Sequence, residues 1–201
     1  MKPFYLFFIL VSVLLQSCAS SNFSKIESER ISNGKSTDPM RIFLITKKSD
    51  SVLLRTKSTP FNVKRNSDLI QKLAKRMLVT VQDSASLGVG IAAPQVGILK
   101  QMIVVQRLDK DNEPFEVYLN PVIKKYSKKK RPCPEGCLSI PNKRAVTLDR
   151  AYTIWLEYET LDGLHKKEQV NDFVSVIFQH EIDHLHGILF IDHLLQEMQG
   201  K

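Results

Sequence analysis

The residues best suited to chemistry lie in one short segment, His180-Glu181-Ile182-Asp183-His184. In an α-helix, residues four apart share a face, so both imidazoles could bind one metal ion. Glu181 would then lie beside the open coordination position, where a carboxylate can accept a proton. A surface helix with scattered polar residues is the alternative, because five-residue motifs also arise by chance. The neighbouring sequence must therefore decide between a metal site and a polar surface.

A metal ion held by two histidines, with one position left open, needs a third protein ligand. Zinc proteases with the motif H-E-x-x-H-x-x-G-x-x-H use a third histidine, but Phe190 occupies that position here. Another class uses a glutamate from a downstream helix, and we expect none because the sequence ends at Lys201. The third ligand is therefore expected upstream of the motif.

Two cysteines that lie upstream of the histidines are candidates for the third ligand. Cys137 lies in E-G-C-L-S (135–139), and its thiolate with two imidazoles would leave one tetrahedral position for water. Cys133, between two prolines, is the alternative soft ligand by the same argument. A lone cysteine is also commonly a small buried apolar residue. The residue types favour Cys137 and leave these alternatives open.

Residues 88–97, G-V-G-I-A-A-P-Q-V-G, form a third segment of interest. Its glycines permit close approach of backbone to a ligand, and Gln95 offers an amide donor. The segment lacks the G-x-G-x-x-G spacing and the Lys-Ser/Thr pair of phosphate-binding loops. Nucleotide binding is therefore excluded for this segment.

Together, the three segments resemble the peptide deformylase family, which carries G-x-G-x-A-A-x-Q, E-G-C-L-S and Q-H-E-x-D-H-L-x-G in this order. The matching residues are 88–95, 135–139 and 179–187, and the resemblance spans roughly residues 40–195. It implies an α+β fold in which mixed or antiparallel β-sheets surround a central helix bearing H-E-x-x-H. It also implies a metal-dependent hydrolase that removes the N-formyl group from the N-terminal methionine of newly synthesised polypeptides and releases formate.

The resemblance assigns roles to individual residues. Glu181 would act as general base and acid toward the attacking water. The Gln95 side chain and the backbone N–H of Leu138 would stabilise the oxyanion. The cofactor would be one divalent metal ion, typically Fe(II), with Zn, Ni or Co able to substitute. Its ligands would be Cys137, His180 and His184.

A pocket for the substrate's methionine side chain is expected on the same helix. Together with Val89 and Leu138, three apolar residues could line such a slot, although apolar stripes at helical spacing are usually core. The backbone of Gly90 would pair with an extended N-formyl-methionyl peptide, as the resemblance implies. The three apolar residues on the face of His180 are Phe173, Val176 and Ile177.

Three positions before residue 179 depart from the family pattern, in which many members carry Gly, Ala and Arg. They hold Asp172, Ser175 and Val176, so activity is expected while substrate preference and rate stay open. The alternative function is a catalytically weak, envelope-anchored protein that binds formyl-methionyl peptides. Intact Glu181 and Gln95 favour catalysis, because a binding protein needs no base. A zinc endopeptidase is a third possibility, disfavoured because this sequence shares the H-E-x-x-H motif of such enzymes but not their downstream ligand.

The N-terminus predicts a targeting segment. Residues 1–17 combine Lys2, an apolar run too short for a membrane span, and a small residue before Cys18, as in bacterial lipoprotein signals. A lipidated Cys18 would make the membrane surface a partner, with 18–39 as a flexible tether and 40–201 as the catalytic domain. A buried N-terminal helix is one alternative. An over-extended start, with translation beginning at Met40, is another and would place the protein in the cytoplasm.

Composition and charge fit this organisation. The 201 residues are 43% hydrophobic, which suits one compact domain, and three cysteines give no disulfide framework. The net charge of +8 comes partly from Lys124, Lys125 and residues 128–131. This run is expected to be a solvated strand end; contact with ribosomal RNA or anionic lipid is the alternative. No sequence-specific nucleic acid partner is expected.

Hydrophobic periodicity supports the same fold class. Helices are predicted over residues 67–81 and 174–185. Alternating or continuous apolar runs predict several strands around them, which gives an α+β domain. The predicted strands are 41–46, 101–105, 115–119, 122–126, 145–148, 152–158 and 166–170.

Overall fold

The computed structural model describes residues 22–65, 67–83 and 88–200. A short 3-10 helix, Ala93–Val96, follows the first strand. The helices in this part of the chain are α1 (Lys25–Ser32), α2 (Lys48–Leu54), α3 (Ser67–Gln82), α4 (Asp172–Leu185) and α5 (Phe190–Met198). The strands are β1 (Gly90–Ala92), β2 (Met102–Gln106), β3 (Phe115–Tyr126), β4 (Cys133–Cys137), β5 (Ile140–Thr147), β6 (Thr153–Glu159) and β7 (His165–Asn171).

Five of these strands form one antiparallel sheet in the order β1-β2-β3-β6-β7. The strands β4 and β5 pair with each other as a separate antiparallel hairpin. Since β1 stands at one end of the sheet order, its outer edge is not paired with any other strand described here. The fold is thus a mixture of helices and antiparallel sheets, as expected from the sequence.

The sheet is covered on both faces, and β2 shows this directly. Met102 and Val104 belong to the apolar cluster that includes α3, whereas Ile103 and Val105 belong to the cluster that includes α4. Side chains of a strand alternate between faces, so a strand covered on both sides needs a continuous apolar run. This explains why residues 102–105 are apolar throughout, and it places α4 against the sheet.

The position of α4 is fixed by a polar contact with the segment before β6. Gln179 accepts a hydrogen bond from the backbone N–H of Ala151 and donates one to its carbonyl, both 2.9 Å long. The Ser175 hydroxyl donates to the same carbonyl at 2.9 Å. A buried amide that satisfies both backbone groups of one residue sets the helix in a single register. Residues 180–184 therefore lie at a defined place.

The described chain begins at Asn22, and the expectation of a flexible tether is wrong for residues 22–39. Ser24 caps α1 in a capping box with Glu27, and the flanking Phe23 and Ile31 are buried in the core. Two well-spaced apolar residues and a capped helix are sufficient to pack the segment. The Arg76 guanidinium holds it from α3 by donating to the carbonyls of Arg30, Ile31, Asn33, Asp38 and Pro39.

Several of the predicted strands differ from the structure. Residues 41–46 form no strand: residues 41–44 have no regular secondary structure and residues 45–46 lie in a turn. Phe43 and Ile45 instead donate backbone hydrogen bonds to Gln95 and Ser139. The two strands predicted over 115–119 and 122–126 are one, interrupted by a register shift between Leu119 and Val122. The predictions also omitted α1, α2, α5, β1 and β4, which are short or carry few apolar residues, and they missed residues 140–144 of β5.

The predicted leader, residues 1–17, and Cys18 lie outside the described residues. Among the helices that are described, none is both long and apolar enough to cross a membrane. The basic run lies at the surface, at the end of β3 and just beyond it. Lys125 lies over the ring of Trp155, and Lys129 lies over the ring of Tyr152. These contacts fit the expectation of a solvated strand end.

Candidate metal centre and substrate cleft

Three side chains that commonly bind metals converge where β4 meets α4. His180 and His184 lie one turn apart on α4, with ring centroids 5.1 Å from each other. Cys137 ends β4, and its Sγ lies 3.2 Å from Nε2 of His184. One ligand atom from each of the three lies within 4.8 Å of the other two. This Cys/His group could hold one metal ion.

His180 is oriented by a buried carboxylate. Its Nδ1 lies 2.7 Å from Oε2 of Glu135, which leaves Nε2 free to face the centre. Glu135 in turn accepts from Nε and an Nη of Arg150 at 2.7 and 3.0 Å. Burial raises the pKa of the Glu135 carboxyl, but His180 and Arg150 outweigh burial and hold that pKa well below its usual range. The carboxylate therefore stays charged behind the imidazole.

The two cysteines lie in different environments. Burial raises the pKa of the Cys137 thiol, but His184 and His180 outweigh burial and lower that pKa well below its ordinary value. Cys133 is buried at the start of β4, and burial together with Glu135 raises its pKa. Cys133 lies four residue steps before Cys137 along β4, which is about 13 Å, so it lies outside the Cys/His group.

Glu181 lies deep in the site with one oxygen free. Its side chain is 4% exposed, and Oε2 has no hydrogen-bond partner in the described part of the chain. Burial raises the pKa of Glu181 to about 7, although His180 and His184 act in the opposite direction. Such a carboxyl can take up and release a proton near neutral pH.

Gln95 lies across the centre from α4, within the 3-10 helix. Its Oε1 accepts a hydrogen bond of 2.8 Å from the backbone N–H of Ala92. This contact fixes the amide, so that Nε2 lies 3.3 Å from Oγ of Ser139 and 3.5 Å from Sγ of Cys137. Leu138 directly follows Cys137 and lines the same cavity. The Gln95 amide donor is therefore aimed at the centre.

The centre opens into a cleft of about 850 Å³. Val89 and Gly90 form part of one wall, and the residues at the tip of the β4–β5 hairpin form another. The predicted apolar side chains Phe173, Val176 and Ile177 all line the cleft. Ile177 also belongs to the core cluster under α4, so the core and pocket interpretations both hold for it.

One wall of the cleft, and the Glu135–Arg150 pair that supports His180, were not predicted from the sequence. The hairpin wall carries no motif beyond its proximity to residues 135–139. The signal for Glu135 was present, since it begins that motif, but its buried partner Arg150 comes fifteen residues later. Only the pairing of β4 with β5 brings the two together. The hairpin residues that line the cleft are Ile140, Pro141, Asn142, Lys143 and Arg144.

The three departures from the family pattern have separate environments. Asp172 has a positive φ of 56° at the start of α4 and forms an ion pair with Arg131 at the surface. Ser175 is buried and bonded to Ala151, as described for α4. Val176 faces the cleft. Only Val176 is placed to affect a substrate directly.

Known proteins resemble this chain in sequence. A profile described as polypeptide deformylase matches residues 42–199. The peptide deformylase of Prochlorococcus marinus (strain NATL2A) is 40% identical over 145 residues, covering 71% of this chain and 70% of the relative. That of Brucella suis biovar 1 is 39% identical over 144 residues, covering 71% and 79%.

A solved structure shows the same fold. The class I type b peptide deformylase from Acinetobacter baumannii, bound to Met-Ala-Ser, superposes with a TM-score of 0.68 at 32% identity. The match covers 78% of this chain and 99% of that one. The profile spans most of the chain and includes Cys137, His180 and His184. The chain therefore belongs to the polypeptide deformylase family.

Proposed function

We propose that the cleft removes the N-formyl group from the N-terminal methionine of newly synthesised polypeptides and releases formate. One observation carries the proposal: a Cys/His group lies beside a buried carboxylate that has an unpaired oxygen, at the base of an open cleft. This arrangement provides a metal site, a proton acceptor and room for a peptide in one place.

The donor set fits one divalent metal ion. A thiolate and two imidazoles are suitable ligands for Fe(II), Zn, Ni or Co, and they leave further positions open. Cys137, His180 and His184 would hold the ion, and Glu135 would keep His180 in the correct tautomer. When bound, the ion would supply Lewis-acid activation of water and of the formyl oxygen. We propose Fe(II), as the family resemblance implies.

The protein's own groups carry the proton transfers. Glu181 accepts a proton from the attacking water and then delivers it to the leaving amine, so its free oxygen must face the cleft. The fixed Nε2–H of Gln95 and the backbone N–H of Leu138 stabilise the negative charge on the formyl oxygen. Cleavage of the formyl C–N bond yields formate and a free N-terminus.

The apolar side chains of α4 that line the cleft bind the methionine side chain. Phe173, Val176 and Ile177 lie on the cleft side of α4 and exclude water from that region. The peptide backbone adds to the free edge of β1 at Gly90, next to Val89. This places the formyl group near Glu181 and directs the following residues along the cleft.

The test is formate release from formyl-Met-Ala-Ser by the full chain, purified anaerobically with its metal content measured. We expect turnover that Glu181→Ala abolishes while the metal content stays the same. A metal-loaded, folded protein that binds the peptide without releasing formate would favour the alternative, an envelope-anchored binding protein. Turnover retained in metal-loaded Glu181→Ala would contradict the general-base assignment.

We also propose that the chain is a bacterial lipoprotein anchored through Cys18. The apolar run and small residue before Cys18 support this proposal. Because Asn22 and Phe23 are already buried in the domain, the domain would lie directly against the membrane surface. Incorporation of a labelled fatty acid into the wild-type chain, and not into Cys18→Ser, would support the anchor. Equal behaviour of the two proteins would favour a start at a later codon and a cytoplasmic protein.

A further inference from the structure

The hairpin wall of the cleft carries two positive charges that the proposed mechanism does not use. Lys143 and Arg144 both line the cleft, and both are exposed. Neither forms an ion pair with any residue in the part of the chain that the structure describes. Long basic side chains beside a substrate cleft are available to bind a negatively charged group.

The β4–β5 register places Arg144 close to the reacting centre. Arg144 pairs with Gly136, the residue directly before Cys137. A Cβ built on Gly136 would lie 3.3 Å from Cγ of Arg144, so the arginine stem crosses the hairpin at that glycine. A larger residue at 136 would push the stem away. The Arg144 stem thus lies against Gly136, one residue before Cys137, and its side chain lines the cleft.

No carboxylate of the cleft neutralises this wall. The acidic residues that line the cleft are Glu135 and Glu181, which are 5% and 4% exposed. Glu135 is bonded to Arg150 and His180, and Glu181 lies at the base. The open part of the cleft is therefore positively charged, and the net charge of +8 adds to the attraction for acidic substrates.

We propose that Lys143 and Arg144 form a subsite for a carboxylate of the formylated peptide, in the second or third residue. This inference rests on the proposed function. An extended peptide advances about 3.3 Å per residue, so these residues pass the hairpin when the formyl-methionine occupies the centre. The carboxylate is an acidic side chain or, in a short peptide, the C-terminal group. The subsite selects among formyl-methionyl peptides by charge.

The experiment measures kcat/KM of the full, metal-loaded chain on C-terminally amidated peptides. The neutral reference is formyl-Met-Ala-Ala-amide, and the variants carry Asp or Lys at the second or third position. A further peptide, formyl-Met-Ala-Ala with a free carboxylate, separates the two sources of charge. We expect an Asp peptide to exceed its Lys counterpart about 3- to 20-fold, mainly through KM, because two exposed ion pairs contribute. The preference should fall at 0.5 M salt.

Charge reversal gives the decisive comparison. In the double variant Lys143→Glu with Arg144→Glu, the Lys peptides should become the better substrates, a change of sign that altered folding would not produce. The matched control is Lys166→Gln, an exposed lysine on β7, at the opposite edge of the sheet from β1. It should keep the wild-type preference.

Each outcome bears on a different claim. A preference seen only with the free C-terminus supports the subsite and assigns it to the terminal carboxylate of short peptides. Turnover that is equal for the Asp, Lys and free-carboxylate peptides, in wild type and in the reversed variant, overturns the subsite while leaving the proposed function intact. No formate release from any peptide means that the proposed function itself has failed.

Discussion

Gly90 and Glu181 lie so close that no side chain fits between them. A Cβ built on Gly90 would lie 2.6 Å from Oε1 of Glu181 and 2.9 Å from its Cγ. Gly90 lies on β1 and Glu181 on α4, so this contact sets the distance between the free strand edge and the carboxylate. Glycine is required here for close approach rather than for an unusual backbone conformation.

Gly90→Ala should therefore impair catalysis without unfolding the protein. The new methyl group displaces the Glu181 carboxylate, and misplacement of a reacting group by about 1 Å can cost about 100-fold in rate. The measurement is kcat/KM for formate release, with metal content and thermal unfolding as controls. Near-normal turnover in a folded Gly90→Ala protein would show that Glu181 can shift without loss of activity.

Glu135→Gln should weaken metal binding. The amide keeps the size of the carboxylate but removes the charge that faces Nδ1 of His180 at 2.7 Å. Loss of such an outer partner typically lowers metal affinity by about 10- to 100-fold. Competition with a chelator measures the affinity. Unchanged affinity would mean that Glu135 serves only its ion pair with Arg150.

A pair of cysteine variants tests the choice of sulfur ligand. Cys137→Ala should lose both the metal and turnover, because it removes the anionic ligand of the three-residue group. Cys133→Ala should keep the metal and lose only packing, since this buried residue lies outside that group. Metal analysis of both purified proteins decides. Retention of metal by Cys137→Ala with loss in Cys133→Ala would reverse the assignment.

Deletion of residues 1–39 should destabilise the domain, whereas deletion of 1–21 should not. The longer deletion removes the buried side chains of Phe23 and Ile31 and all five carbonyl partners of Arg76. Burial of two large apolar side chains contributes about 3–6 kcal/mol. Denaturant unfolding of the two deletion proteins measures the difference. Equal stability would show that the segment packs without contributing to folding.

His193 should contribute a pH-dependent part of the stability. It lies between Asp149 and Asp183, at 2.9 Å from each, and their hydrogen bonds raise its pKa from 6.5 to about 9. A raised folded-state pKa stabilises below the unfolded value, and that contribution disappears as pH rises through about 9. His193→Gln should cost about 2 kcal/mol at pH 6 and much less at pH 9.5. A cost independent of pH would exclude this origin.

Local patterns were sufficient for much of the fold. The helix predicted over 174–185 is confirmed as α4, that over 67–81 as α3, and the strand predicted over 101–105 as β2. These segments have strong periodicity or continuous apolar residues, which depend little on distant partners. The strand predicted over 41–46 is wrong because the backbone N–H groups of Phe43 and Ile45 bond to Gln95 and Ser139, which lie in a 3-10 helix and a turn rather than in a strand. Likewise, the flexible tether predicted over 18–39 is wrong for residues 22–39. The prediction did not foresee that Arg76 on α3 would hold this segment through hydrogen bonds to its carbonyls.

The sequence by itself determined that two histidines stand one helical turn apart and which family the motifs resemble. It also identified Cys137, upstream of the histidines, as the candidate third ligand. Only the tertiary structure decided that Cys137 approaches His184, that Glu135 and Arg150 support His180, and that Lys143 and Arg144 face the cleft. The reason is physical. Helical spacing is local, whereas these contacts depend on how a hairpin packs against a helix far along the chain.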